Sequence, residues 1–458
     1  ACYLNEVINN VFGATYALNN AITNTNNATD KFADYIQLGS GLTDMGGQQD
    51  VLLLEDGSSA IGYGDATYAT THDMRGVTRD ASPDAGAYEF KVSASTTDGN
   101  WNSAGTWGNG IPDQYTDKAQ VESAVTLSGS KATANCHNLA VSPGGSLTVE
   151  SGATLTVGNR LTVEADASGS GSFINNGTLN EAAATVELHL PETGQTYNWH
   201  YVTAPISGVS SNVFPGAENN AETVTAVSWD ESTLDWSNHT VSSPATLSVG
   251  TGYAIPAESA SDVSFSGAEL AGGTQTIANL GFTSGTYEGY HLVGNPFTAD
   301  YDASQLTLTN STSDIWVRDG GNFLAYNVAG KTGTLTNGLI PALQGFWVRN
   351  DGLGADMSVE MDPAHLTHDA VAVYKNAMAS SIHLVAAHGQ KEDKMLLYFN
   401  ELASSAFDSY DTQKRFAEGD YPQLYSLEEN RPLAISGMPC IQSDEKIITD
   451  LDAFSQGV

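Results

Sequence analysis

The chain has 458 residues, with 17 Lys and Arg against 53 Asp and Glu, so its formal net charge is −36. Proteins that bind nucleic acid need clustered cations to neutralise phosphates, and this balance argues against such a partner. Gly contributes 46 residues while charged residues make up only 15%, unlike the composition of long helical proteins. We therefore predict an acidic, all-β protein of several domains.

Membrane insertion and a local disulfide framework are also disfavoured. No run of about 18 apolar residues is present, so we expect no membrane span. Cys2, Cys136 and Cys440 are too far apart for a zinc knuckle or a local framework; isolated thiols or a single bridge both fit. The chain opens at Ala1 without an initiator Met, so we expect a processed or internal piece of a longer protein.

Residues 1–91 alternate short apolar stretches with polar turns. The segment closes with DMRG at 73–76 and SPDAGAYEF at 82–90. This succession resembles the C-terminal end of a right-handed parallel β-helix, as in many large secreted bacterial proteins. The resemblance implies that 1–91 are the last rungs and cap of such a helix.

Residues 92–185 are predicted to form a small β module. After a Trp- and Gly-rich opening, apolar and polar residues alternate in short segments separated by Gly, which leaves almost no room for helix. A small solenoid and a β-sandwich would both produce this pattern. The predicted strands are 121–127, 138–141, 146–149, 154–157 and 160–163.

Residues 186–370 contain an internal repeat with an offset of about 91 residues, too long for a solenoid rung and suited to a β-sandwich. Three landmarks recur in the same order: Trp199–Pro205 as Tyr290–Pro296, the strand around Trp229 as that around Trp316, and Gly252 as Gly345. We therefore predict a pseudo-duplicated β-sandwich here. Residues 371–458 are expected to be a truncated terminal β unit, with 401–415 as its only short helix or ordered loop.

Further motifs, which together cover most of the chain, lie at 100–112, 136–157, 291–297, 340–348, 398–414 and 433–439. They resemble motifs of secreted or cell-surface proteins exported by the type IX secretion system of Bacteroidota-type bacteria. The resemblance implies an extracellular or cell-surface location, and contact with the secretion machinery through a missing C-terminal sorting domain. It implies no particular activity.

No pattern of catalytic residues stands out, and we assign none. Arg75 and Arg79 are expected to pair with Asp73, Asp80 or Asp84 rather than with a uronate substrate. The histidines lack the spacing of a zinc protease, and no Gly-x-Ser-x-Gly elbow is present.

Calcium is the cofactor that the sequence favours most, because hard oxygen ligands on loops suit this cation. Asp98, Asn100 and Asn102 begin like an EF-hand loop but lack its Gly at position six and its Glu at position twelve. An ordinary Asx-rich turn explains the same residues. We retain these three as candidate calcium ligands.

Five tryptophans of the repeat offer either a sugar-stacking platform or core packing: Trp199, Trp229, Trp236, Trp316 and Trp347. Equivalent positions in the repeat favour the core for Trp229, Trp316 and Trp347. Trp236 is predicted to lie on a loop and to face a ligand.

Together these observations predict a non-enzymatic surface protein, a stalk, adhesin or filament component that presents a β-helix to a glycan or a partner protein. Exposed strand edges make self-association an expectation as well. Two alternatives stay open. One is a polysaccharide lyase or glycoside hydrolase whose catalytic part lies upstream, and the other is a calcium-dependent carbohydrate-binding protein.

Overall fold

The computed structural model describes most of the chain beyond residue 50, and shorter pieces before it. Within these residues the only helical segments are single 3₁₀ turns, so the all-β prediction is confirmed. No helix there is long and apolar enough to cross a bilayer. The described residues are 6–8, 23–25, 38–45, 51–58, 60–67, 69–86, 88–192, 198–219, 222–368, 381–417, 419–440 and 450–455. The 3₁₀ turns are Ala104–Thr106, Ser211–Val213, Ala303–Gln305, Thr336–Gly338 and Pro363–His365.

Much of the predicted β-helix end at 1–91 lies outside the described residues. Strands β1 (Glu6–Ile8) and β2 (Thr23–Thr25) form a parallel pair. Strands β3 (Leu38–Thr43) and β4 (Val51–Leu54) form an antiparallel hairpin.

The closing motif folds into an irregular segment that hydrogen bonds hold together. The Arg75 Nε lies 2.7 Å from Asp73, and the Arg79 Nη1 lies 2.7 Å from Glu89. The Asp73 carboxylate also accepts from the backbone amides of Arg75, Val77 and Glu89 at 2.8–3.1 Å. Both cations of the motif are therefore paired within the protein, Arg79 with Glu89 rather than with Asp80 or Asp84.

Residues 92–186 form a β-solenoid of about four turns, which decides between the two folds that the sequence left open. One parallel face consists of β5, β7, β9, β11 and β16, and a second of β6, β8, β10 and β14. The strands are β5 (Val92–Ala94), β6 (Gly99–Asn100), β7 (Lys118–Val121), β8 (Ala124–Leu127), β9 (Thr133–Val141), β10 (Ser146–Val149), β11 (Thr154–Val163), β12 (Ala165–Asp166), β13 (Gly169–Ser170), β14 (Ser172–Asn175), β15 (Thr178–Glu181) and β16 (Ala184–Leu190).

The prediction of one continuous strand over 121–127 is wrong: residues 124–127 form β8, but residue 121 ends β7 and the chain turns a corner between the two strands. The Ser95 hydroxyl accepts hydrogen bonds from the backbone amides of Glu122 and Ser123 at 2.9 and 3.1 Å. A side chain from the preceding rung thus fixes the corner. Local alternation of residues carries no trace of such a contact.

Stacked apolar side chains fill the solenoid interior. Val125, Leu147 and Phe173 occupy the same register in three successive rungs, and each is at most 2% exposed. The Leu-Thr-Val alternation places Leu and Val inward and Thr outward, as the pleat of a strand requires. The indole Nε1 of Trp107 donates to the Trp101 carbonyl at 2.7 Å, so the Trp-rich opening packs at the first turn.

Two glycines of the solenoid stand where the backbones of neighbouring rungs touch. A Cβ at Gly145 would lie 2.1 Å from the Val121 carbonyl oxygen, and one at Gly171 would lie 2.1 Å from that of Val141. Gly145 and Gly171 occupy equivalent places, each directly before a strand of the second face. The rungs therefore stack this closely only with Gly at these corners.

We expect Gly145→Ala to lower the free energy of unfolding by about 1–3 kcal/mol, because the added methyl group must displace backbone. Urea unfolding followed by tryptophan fluorescence measures this loss. The matched control is Gly105→Ala, whose Cβ would meet nothing closer than 3.9 Å and should change stability by about 0.5 kcal/mol or less. Equal losses in both variants would refute the packing argument.

The two halves of the internal repeat fold with the same strand order, β17-β21-β19-β20 in the first and β24-β31-β27-β28 in the second. The first half contains β17 (Asn198–Thr203), β18 (Ala217–Asn219), β19 (Glu222–Asp230), β20 (Asp235–Thr240), β21 (Gly252–Ala257), β22 (Ser261–Gly267) and β23 (Gln275–Leu280). The second contains β24 (Tyr290–Gly294), β25 (Asp300–Asp302), β26 (Thr307–Thr309), β27 (Ser311–Asp319), β28 (Asn322–Asn327), β29 (Thr332–Gly333), β30 (Leu339–Ile340), β31 (Gly345–Asn350), β32 (Met357–Met361) and β33 (Leu366–Thr367).

The halves contact each other reciprocally through their repeated glycines. A Cβ at Gly252 would lie 2.8 Å from the Val293 carbonyl oxygen, and a Cβ at Gly345 would lie 2.9 Å from the Tyr201 carbonyl carbon. Isolated bridges pair Thr251 with Val293 and Val202 with Gln344. Each half thus offers the same elements to the other, as in a two-fold interface between identical subunits.

The junction between solenoid and sandwich is also a strand pairing. Strand β16, the last rung, pairs antiparallel with β22 along its whole length, from Ala184 opposite Gly267 to Leu190 opposite Ser261. A second contact comes from His368, whose two ring nitrogens each lie 2.7 Å from a solenoid hydroxyl.

The terminal unit is a single sheet with the order β34-β35-β38-β37-β39. Residues 401–415 form turns, an ordered loop and the short strand β36, with no α-helix. Cys136 and Cys440 are free thiols, and Cys2 lies outside the described residues. The strands are β34 (Ser381–His388), β35 (Lys391–Phe399), β36 (Thr412–Gln413), β37 (Pro422–Glu428), β38 (Arg431–Met438) and β39 (Asp450–Ser455).

Candidate functional site

A cleft of about 640 Å³ opens where the two halves of the repeat meet the terminal unit. Its walls come from β17, β19, β20 and β21 of the first half and from β24, β27, β28 and β31 of the second. The loop after β36 closes one side. Its aromatic residues are Trp199, Tyr201, Trp229, Trp236, Tyr287, Tyr290, Phe323, Trp347 and Phe416.

Three indoles of the cleft pack edge to face. The ring centroids of Trp229 and Trp236 are 5.4 Å apart, and each lies 5.7 Å from the Trp347 ring, with interplanar angles of 71–81°. Such T-shaped packing is favourable for aromatic pairs. Trp347 is 2% exposed, whereas Trp236 is 36% and Tyr287 62% exposed. The cleft therefore has a buried aromatic floor and an open aromatic rim.

The prediction that Trp236 lies on a loop is wrong. It belongs to β20 and sits directly opposite Trp229 in the β19–β20 hairpin. A four-residue turn joins the two strands, with Leu234 at a φ of 55°. Polar residues around Trp236 resemble a loop in sequence, but they form the exposed arm of a hairpin.

Four of the five tryptophans singled out in the sequence line this cleft: Trp199, Trp229, Trp236 and Trp347. The fifth, Trp316, is buried beside it, and its indole Nε1 donates to the Gln413 carbonyl at 2.9 Å. Sequence analysis missed the contributions of Tyr287 and of residues 414–416, because a repeat shows which strands are equivalent but not which distant loop covers them.

The cleft is cationic although the protein is strongly acidic. Arg318, Lys414 and Arg415 line it, and no Asp or Glu does so among the described residues. The Nζ of Lys414 lies 2.5 Å from a carboxylate oxygen of buried Asp393. The guanidinium carbon of Arg415 lies instead above aromatic rings, 4.5 Å from the centroid of Trp347 and 4.7 Å from that of Tyr290.

Hydrogen bonds between the three units hold the cleft in shape. The Trp229 indole Nε1 donates to the Tyr290 carbonyl at 2.7 Å and joins the two halves. The Asn327 side chain in β28 donates to the backbone carbonyls of Ser409 and Asp411 at 3.0 and 3.3 Å and joins the second half to the terminal unit. The aromatic walls are thus fixed to one another before any ligand arrives.

Buried carboxyl groups lie behind this contact. The Asp314 carboxyl accepts from the Thr412 hydroxyl at 2.6 Å, and that of Asp411 accepts from the Gly437 amide at 2.9 Å. Burial raises the pKa of Asp314 and of Asp411 to about 7. Burial likewise raises the pKa of Asp117, at the solenoid, to about 7 and that of Asp84 to about 6.

These raised pKa values predict that the protein is more stable in mild acid. Because the folded state binds protons at these four carboxyl groups more tightly than the unfolded chain does, their contribution to the free energy of unfolding rises as pH falls from about 8 to about 4. Burial lowers the pKa of His200 to about 4, which acts in the opposite direction, and the four carboxyl groups outweigh it. We expect the melting temperature to rise by several degrees between pH 8 and pH 5. Asp314→Asn should reduce this rise, because it removes one of the titrating groups.

The control is Asp319→Asn on the same strand, where the side chain is exposed. It should leave the pH dependence of the melting temperature as in the wild type. A wild-type melting temperature that falls on acidification to pH 5, or an Asp314→Asn variant with the full pH dependence, would contradict this account.

The candidate calcium ligands have partners within the protein. The Asp98 Oδ1 accepts from the Ala124 amide at 2.9 Å, and the Asn100 Oδ1 accepts from the Asn102 amide at 2.8 Å. The second contact is an Asx turn. Among the described residues no three His, Cys, Asp or Glu side chains form a group that could hold a metal ion. Calcium binding by Asp98, Asn100 and Asn102 stays a prediction.

Comparison with known proteins gives one match. Residues 92–319, just under half of the chain, are similar to a protein family described as a domain of unknown function (DUF8693). Neither the curated proteins nor the solved structures contain a match. The matched region begins at the first strand of the solenoid and ends with β27. It includes the solenoid, the first half of the repeat and the start of the second.

Proposed function

We propose that this protein is a non-enzymatic, adhesive cell-surface protein that binds glycans in the aromatic cleft. The observation that carries the proposal is the cleft itself, which nine aromatic residues line. Its volume of about 640 Å³ falls within the usual range of about 300–1,000 Å³ for small-ligand sites.

Sugars suit such a surface because a pyranose ring has an apolar C–H face and a polar rim. The C–H face packs on an indole or phenol ring, and hydroxyl groups bond to polar groups beside it. The exposed rings of Trp236, Tyr287 and Phe416 supply the stacking surface, and Asn238 supplies an amide in the cleft wall. Hydrogen bonds between the units fix these walls, which reduces the entropy lost on binding.

The solenoid supports a structural role beside this site. Its interior is filled by stacked side chains such as Leu147 and Leu155, both 0% exposed. Continuous ladders of this kind make a stiff element that holds the cleft at a distance from its attachment point. The proposed surface location and export by a type IX system rest on the sequence motifs described above. Self-association through exposed strand edges belongs to the same proposal.

We expect Trp236→Ala to weaken glycan binding tenfold or more, because it removes an exposed stacking surface from the cleft rim. The measurement is titration calorimetry of the full chain with glycans that first give a signal on an array of neutral and acidic oligosaccharides. The melting temperature should also fall, because Trp236 loses its edge-to-face contacts with Trp229 and Trp347, so calorimetry is done at a temperature where the variant is fully folded.

The matched control is Tyr115→Ala. Tyr115 is also 36% exposed but lies on the solenoid, away from the cleft. This variant should bind like the wild type. Equal weakening in both variants, or a Trp236→Ala variant with full affinity, would place the glycan site elsewhere. Absence of binding to every glycan on the array would overturn the proposed function.

A further inference from the structure

The distribution of charge in the cleft differs from that of the whole chain. Acidic residues outnumber Lys and Arg by 53 to 17, yet the cleft has three cations and no Asp or Glu among its described lining residues. This contrast indicates that the cleft favours a negatively charged ligand. A neutral sugar would need no cations in its binding site.

Of Lys414 and Arg415, only Arg415 has a charge that an anionic ligand can pair with. Lys414 is neutralised by Asp393. Arg415, in contrast, has no carboxylate oxygen within 4.0 Å among the residues that the structure describes. Its guanidinium carbon lies 4.5–5.0 Å from the ring centroids of Trp347, Tyr290 and Phe323.

Stacking of this kind positions a guanidinium through its face, and the Tyr290 hydroxyl accepts one hydrogen bond from Arg415. The ring faces attract the cation, and a guanidinium carries five N–H donors around its planar edge, so further donors remain for a ligand. That edge matches the two oxygens of a carboxylate or of a sulfate group. The apolar surroundings strengthen such a pair relative to one in open water.

We propose that the glycan bound in the cleft contains an acidic sugar whose anionic group pairs with Arg415. This inference rests on the proposed glycan-binding function and specifies its ligand class. The sugar ring stacks on the exposed aromatic rim while its carboxylate or sulfate reaches the guanidinium. Lys414 remains paired with Asp393 and serves to position the loop that holds Arg415.

The acidic surface of the protein limits the form of this ligand. A long polyanion would lie close to many acidic groups of a protein whose net charge is −36, and it would be repelled. A short chain lies within the cleft, and at physiological salt the charges more than about 8 Å away from it are screened. The ligand is therefore a short acidic oligosaccharide, or the acidic end of a longer neutral chain.

The experiment compares probes that differ only in charge. In the carboxylate arm, trigalacturonate is compared with its fully methyl-esterified form. In the sulfate arm, a κ-carrageenan tetrasaccharide is compared with its desulfated form. Calorimetry with the full wild-type chain should show at least tenfold tighter binding of the charged member in one arm, and that arm identifies the anion.

Arg415→Gln should abolish this preference, so that the charged and neutral members of a pair bind this variant with affinities within twofold of each other. Arg415→Lys should restore part of it, because a lysine keeps the charge but lacks the two-pronged edge. Arg160→Gln, the same change at an exposed position of the solenoid, should keep the wild-type preference. If Arg415→Gln fails to fold, the wild-type comparison alone decides.

The outcomes separate this inference from the proposed function. Equal wild-type affinity for the charged and neutral members of both pairs, with Trp236→Ala weakening both, overturns the acidic-sugar inference and leaves glycan binding intact. A charge preference that survives in a folded Arg415→Gln variant overturns the role of Arg415. No binding of any glycan, on the array or in either arm, overturns the glycan-binding function and this inference together.

Discussion

The close, reciprocal contact of the two repeat halves is the constraint on which the rest of the sandwich depends. Gly252 and Gly345 let the backbone of each half approach the entry strand of the other, where any side chain would collide. Once the halves meet at this distance, their outer sheet faces join into one surface. Trp229 of the first half then reaches the Tyr290 carbonyl of the second, and the aromatic walls of the cleft come together.

Differences between the two halves of the repeat explain why this surface is a cleft. Trp199 and Tyr290 occupy equivalent entry strands and both line it, and so do Trp236 and Phe323 on the hairpin strands. At another position the halves differ: the second half has Trp347, and the equivalent residue of the first half is the small Ala254. An exact repeat would crowd two indoles at the centre. The alternation of large and small residues leaves space.

Several features of the fold could be predicted from the residues, because they are local. The alternation at 146–149, 154–157 and 160–163 predicts strands, the last two of which the structure joins as β11, and the repeated landmarks predict equivalent strands in two halves. Side-chain stacking between rungs and the covering loop could not be predicted. Arg415 lies in a segment with no regular pattern, and its aromatic neighbours Tyr290 and Trp347 are far away in the chain. Contacts between residues this far apart in the chain depend on how the whole units pack against one another.

The pairing of β16 with β22 has a mechanical consequence. The last rung of the solenoid lies antiparallel to a sandwich strand over seven consecutive residue pairs. A force that pulls the solenoid and the sandwich apart along these strands loads the backbone hydrogen bonds between β16 and β22 in shear. These bonds share the force and must break almost together. The chain would therefore resist extension at this strand pair, where a flexible linker would simply stretch.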